Sequence, residues 1–147
     1  MDVEAKDALS QFFAAQKKLN QLGVIRSRDY VGDIARYLCA ATYGLELVDR
    51  AAGYDGIIAD SRVQVGVNNC PTGHPVRLDR SAEWDEALVV LGPNSWLRPE
   101  SVPGDFIFYR FTREEIAERF KLRGDQYVGG RSVFSRGYDL VLRLGEE

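Results

Sequence analysis

GLELVDRAAGYDGIIADSRVQVGV, residues 44–67, is the stretch whose reading decides the fold. Gly44 closes a helical pattern, and the segments after it are short and strand-like. LELV (45–48) leads to a turn at Asp49–Gly53, then GIIA (56–59) and RVQVGV (62–67), with Asp60 and Ser61 placed for a tight hairpin. Upstream, Ala5, Ala8, Leu9, Phe12, Phe13, Leu19 and Leu22 recur at three- and four-residue steps, predicting an amphipathic helix over 3–22 that stops at Gly23. A second helix is expected from Asp29 to Tyr43, with Tyr30, Val31, Ile34, Ala35, Leu38 and Ala41 on one face. A helix followed by a three-strand meander is the opening of an α/β domain.

Downstream, Asn68, Asn69, Pro71, Gly73 and Pro75 make 68–86 irregular, with one helical turn expected at Ser81–Glu86. ALVVL (87–91) is a continuous apolar run suited to a strand covered on both faces. FIFYRF (106–111) is another strand. Thr112 and Glu115 stand at capping-box spacing, and Phe111 with Ile116 fits a hydrophobic staple, so a helix is expected to run on to Lys121. YDLVLRL (138–144) predicts a final strand. One α/β domain over 1–147 results: an N-terminal helix (1–23), a core (24–122) and a C-terminal strand region (123–147).

The 147 residues are 45% hydrophobic and 28% charged, a balance that excludes a disordered chain. A net charge of −3 means that nucleic acid, if bound, must meet a local patch and not a general positive field. One histidine (His74) and two cysteines (Cys39, Cys70) exclude a zinc finger, a three-histidine metal site and a disulfide framework. No elbow of the Gly-x-Ser-x-Gly kind and no Gly-Lys-Ser/Thr loop occurs, which removes hydrolase-triad and phosphate-loop chemistry. The N-terminus opens acidic and no apolar run approaches the roughly 20 residues that span a bilayer, so a cytoplasmic location away from membranes is expected.

Asp33 in the second helix, Asp55 in the YDG turn and Gln64 in the VQV strand can reach one sheet edge. Carboxylates so placed are the groups that hold Mg²⁺ for phosphodiester cleavage, with a lysine nearby to orient water. Strand alternation puts that lysine at position 66, where this chain has glycine. Around these residues LGVIRSRDYVGDIARYLCAATYGLELVDRAAGYDGI (22–57), followed by VQVGV (63–67), resembles an uncharacterised bacterial family of the PD-(D/E)XK, or restriction endonuclease-like, nuclease superfamily. That family shows an arginine-containing lead-in, a Val-Gly-acid helix, a Gly-Tyr-Asp-Ala turn and a Gln-x-Lys strand. The resemblance covers 22–67, thins between ALVVL and the helix at 112–121, and does not extend to the last 25 residues.

The resemblance implies a helix–three strand–helix–strand core around a mixed sheet. It implies Asp55 as the metal-binding acid, Asp33 as a supporting helix acid and Gln64 in the place of the second acid. The departures are Gly66 at the lysine position, Arg36 where a second helix acid is often seen, and a Pro- and Gly-broken stretch where a helix belongs. Only four lysines (Lys6, Lys17, Lys18, Lys121) stand beside fifteen arginines, and arginine stays protonated at any working pH. The expectation is a catalytically silent nuclease-like domain, without a cofactor, that binds a protein partner, a second copy or nucleic acid in bacterial defence or nucleic-acid processing. The alternative is an active Mg²⁺-dependent endonuclease with an atypical or migrated base.

Plainer readings stand beside these. Asp55-Gly56 is also an ordinary turn pair, Asp33 and Arg36 an i,i+3 ion pair, Gln64 a hydrogen-bonding residue, and Gly66 a bulge or close approach. Arg26 and Arg28 before the second helix, with Arg62, are the candidate nucleic-acid contacts. Over 121–147 five basic residues face four acids, so Arg123, Arg131, Arg136 and Arg143 read as solvated surface. Trp96, in a Pro-rich loop, is the candidate anchor for a partner or else tucks under its own loop.

Overall fold

The computed structural model describes residues 1–49 and 52–145. Residues 50 and 51 of the expected 49–53 turn, and 146 and 147 at the end of the expected domain, lie outside them. Helix α1 (Val3–Gln21) starts on the Asp2 carboxylate, and α2 (Tyr30–Tyr43) starts on Asp29 and ends at Gly44, whose φ of 70° suits the left-handed stop. Five strands match the order expected from the sequence: β1 (Glu46–Leu47), β2 (Gly56–Ile58), β3 (Ser61–Asn68), β5 (Glu86–Leu91) and β6 (Phe106–Thr112). The β2–β3 hairpin turns on Ala59 and Asp60, both at positive φ, one residue earlier than expected.

These strands and β9 (Leu140–Leu142) form one sheet in the order β1-β2-β3-β5-β6-β9. The first three are antiparallel, β3 and β5 are parallel, and the rest are antiparallel again, so the sheet is mixed. Ala35, Leu38 and Cys39 of α2 press on one face, against Val63, Leu88, Val90 and Phe108. The alternate residues Ala87, Val89, Leu91, Ile107, Tyr109 and Phe111 point to the other face. Both faces of β5 and β6 are therefore buried, which accounts for their unbroken apolar runs.

The second face is covered differently from expectation. Residues 68–86 are not simply irregular: they contain β4 (Val76–Asp79), which joins β7 (Lys121–Arg123) and β8 (Gln126–Gly129) in a small antiparallel sheet of order β4-β8-β7. The crossover from β3 to β5 is thus made by a strand where the resemblance implies a helix. No helical turn forms at 81–86, because the local backbone finds other partners. The Trp84 indole N–H donates to the Asp79 carbonyl at 2.6 Å, and the Arg113 guanidinium donates to the carbonyls of Arg80, Ala82 and Trp84 while stacking 4.3 Å over the Trp84 ring.

Helix α3 (Arg113–Arg119) has the expected capping box between Thr112 and Glu115, and Phe111 and Ile116 share one core cluster. It ends two residues before Lys121 because Phe120 turns into extended backbone and packs among Phe111 and Phe134. The final strand covers 140–142 of the expected 138–144.

Helix α1 carries no buried residue. Leu9, Phe12 and Phe13 of its apolar face stay 48%, 50% and 59% exposed, and it touches α2 mainly through Gln16 and Phe12 against Tyr30. Among the described residues no helix is long and apolar enough to cross a membrane.

Candidate functional site

The link between α1 and α2 wraps around the side chain of Asp33. Its Oδ2 accepts the backbone N–H groups of Arg26 (2.8 Å) and Ser27 (2.7 Å) and the Ser27 hydroxyl (2.9 Å), while Oδ1 accepts Arg36 Nη2 at 2.9 Å. Burial pushes the Asp33 carboxyl up, but the Arg36 guanidinium and these donors together hold it well below the usual carboxylate range. Asp33 is therefore both an anchor for the loop and an ion-pair partner.

Asp55 reaches the same guanidinium from the sheet. Gly56 lets it do so: a Cβ there would lie 2.6 Å from the Glu46 carbonyl oxygen and 2.7 Å from Leu45, so only glycine allows β1 and β2 to close this tightly. One residue earlier, Asp55 donates its N–H to the Val63 carbonyl and accepts the Val65 N–H on Oδ2 at 2.7 Å. Its carboxylate takes over a bond of the strand ladder. Its Oδ1 faces Arg36 Nη1 at 3.7 Å, and Asp29 Oδ2 lies 3.4 Å from Nη2. Arg36, one turn along α2 from Asp33, thus sits between a helix acid and a strand acid.

Asp33, Arg36, Asp55, Arg26 and Ser27 line a cleft of about 350 Å³. Asp55 and Arg36 also border a second, of about 400 Å³, with Gln64, Arg77 and Gln126. Gln64 shares this second cleft but not the first. Its Oε1 accepts the Asp79 N–H at 2.7 Å, which fastens the end of β4 onto β3. Gly66, two residues on and on the same face, lies beneath β4: a Cβ would meet Leu78 Cδ2 and Val76 Cγ1, each at 3.0 Å. The position where the resemblance calls for lysine opens into packed apolar side chains and not into a cleft.

The donor set does not fit Mg²⁺. That ion takes six oxygens in near-octahedral array. Both oxygens of Asp33 and Oδ2 of Asp55 already accept hydrogen bonds, and Asp55 Oδ1 looks onto a permanent cation. Among the described residues no group of three His, Cys, Asp or Glu side chains could hold a metal ion.

Cys39, one turn beyond Arg36 on α2, is buried with its thiol pushed up to about 12, first by burial and then by the Asp55 charge, so it is no nucleophile. Arg26 and Arg28 are exposed on the link. The Arg62 guanidinium makes a two-pronged pair with Asp85 and meets Glu83 at 3.4 Å. Trp96 is half-buried, packs against the core and donates its indole N–H to the His74 carbonyl at 2.7 Å. The residue that organises the site is Arg36, and its signal in the sequence is an acid three residues before it on the same helix. Comparison with protein-family models and with curated proteins gives no match for this chain.

Proposed function

We propose that the chain is a catalytically silent domain of the PD-(D/E)XK nuclease-like type that acts by binding. The path α2, β1, β2, β3, β5 supports the reading: a helix, an antiparallel meander and a parallel return, with one acid just before β2 and a glutamine on β3. The observation that carries it is the guanidinium of Arg36 between Asp33 and Asp55. A guanidinium repels a divalent ion and offers only donors where the chemistry needs oxygen ligands. Lysine at 66, the usual partner of such a metal, has Val76 and Leu78 in its way. The open apolar face of α1 supports binding to a protein partner or a second copy.

The test is incubation of the full chain with labelled single- and double-stranded DNA and RNA in Mg²⁺ or Mn²⁺, beside calorimetric titration of each ion. The expected result is intact substrate and no saturable heat. Divalent-dependent cleavage that disappears in Asp55→Asn would overturn the reading and favour an active endonuclease with an atypical base.

A further inference from the structure

The outer face of the small sheet gathers cations that are far apart in sequence. Arg77 on β4, Arg119 at the end of α3, and Lys121 and Arg123 on β7 line one groove of about 430 Å³, and no carboxylate lines it among the described residues. The sheet register explains the gathering. Arg77 pairs with Val128 and Val128 with Lys121, so these three form a row across the sheet, and Arg123 follows Lys121 on the same face. Asp79, also on this face, turns its carboxylate to the N–H and hydroxyl of Ser81.

Arg36, Arg62, Arg110 and Arg131 each meet a carboxylate, whereas Arg98 and Arg113 donate to backbone carbonyls. None of the four groove cations has an ion pair among the described residues. Arg77 is steadied by Gln126 Oε1 at 3.2 Å, and Arg119 by the Val133 carbonyl at 2.9 Å and the Phe111 ring. A groove lined by one sign of charge over a packed wall focuses its field on an anion.

Trp96 lines the same groove, which adds an aromatic surface to the cations. Cations that track a phosphate chain, together with an aromatic side chain, are the elements of single-strand recognition. Three strands span about 10 Å, room for one strand of nucleic acid and too narrow a strip to cradle a duplex. Lys121 and Arg123, two residues apart on a strand, stand about 6.8 Å apart, comparable with the step between successive phosphates of an extended chain. We propose that this groove binds single-stranded nucleic acid through its phosphates, with Trp96 against a base. The proposal rests on the binding reading above and adds a nucleic-acid ligand to it, in a groove that shares Arg77 with the cleft bordered by Arg36 and Asp55.

The test is fluorescence anisotropy of a labelled oligothymidylate with the full chain across a salt series. Contact with three to four phosphates predicts a slope of log K against log salt of about −2 to −3. Lys121→Gln/Arg123→Gln, both exposed, should make that slope shallower by about 1.4 and weaken low-salt binding by at least about tenfold. Lys17→Gln/Lys18→Gln on α1, with the same change of charge, should leave both unchanged. Absence of binding at low salt, a slope unaltered in the β7 variant, tighter binding of the matching duplex, or equal binding of polyglutamate would each overturn the groove proposal. Cleavage of the bound oligonucleotide would instead overturn the silent-site reading and leave the groove standing.

Discussion

Replacing Arg36 by methionine keeps much of its packing and removes the charge that Asp29, Asp33 and Asp55 share. The Asp33 side chain is 3% exposed and loses the Arg36 donor with its charge, while Asp55, 17% exposed, loses the guanidinium facing its Oδ1. Removing one partner of a buried pair costs about 3–5 kcal/mol. Three neutral donors remain on Asp33 Oδ2, so the lower end, about 3 kcal/mol, is expected. For a chain of 147 residues this corresponds to a fall in Tm of about 6–12 °C.

The pH dependence gives a sharper reading. The folded-state pKa of Asp33 lies below its unfolded value, so its contribution is fully present above the unfolded pKa of about 3.9 and is lost as pH falls through the folded one. In Arg36→Met, burial is no longer opposed by the guanidinium and the Asp33 pKa rises. A protonated Asp33 has no need of Arg36, so the difference between the two proteins should narrow as pH falls below about 4. Urea unfolding followed by circular dichroism from about pH 7 to about pH 2 measures this. Asp33→Asn/Arg36→Met should recover more than half of the loss, because no carboxylate is then stranded at that position. A loss under about 0.5 kcal/mol, or a difference constant with pH, would refute the assignment of Arg36 as the compensating charge.

Gly66→Lys should destabilise by more than about 2 kcal/mol in urea titration and restore no divalent-dependent cleavage, since its side chain must part Val76 and Leu78. Gly66→Ala, which asks those methyl groups to move by only a few tenths of an ångström, should cost clearly less. Tyr109→Phe removes the hydroxyl that donates to the Phe134 carbonyl at 2.5 Å inside the core, and a loss of about 1–2 kcal/mol is expected from chemical unfolding. Thr112→Ala takes away the cap of α3 and should cost about 1 kcal/mol; an unchanged Tm would show that Glu115 and the Phe111–Ile116 contact hold the helix start without it.

The elements legible in the sequence are those whose signal is local. Thr112 and Glu115 announce α3 because a capping box lies within four residues. The stripe of α2 and the unbroken ALVVL run announce burial because their periodicities are those of the element itself. Strands β4, β7 and β8 carry no such signal. VRLD is only four residues long and KLR holds a single apolar one, and β4 gains its ladder from β8, about fifty residues later in the chain. Short strands owe their state to partners more than to intrinsic preference. Helix α1 errs in the other direction, with a clear amphipathic pattern and no core to receive it.

The stretch 44–67 alone determined a three-strand meander after a helix, with Asp55 and Gln64 at the start and middle of adjacent strands. It also held the argument against a metal site, because Gly66 is read directly from the alternation of β3. The tertiary structure decided which charges meet. Arg36 was legible as an i,i+3 partner of Asp33, but its place beside Asp55 requires β2 to fold back under α2. A charge count over 121–147 comes out nearly neutral because it omits Arg77 and Arg119, which lie earlier in the chain and join Lys121 and Arg123 only through the register of the small sheet. Periodicity arises from backbone geometry and is written along the chain; electrostatic fields depend on distances through space, which only the packed chain defines.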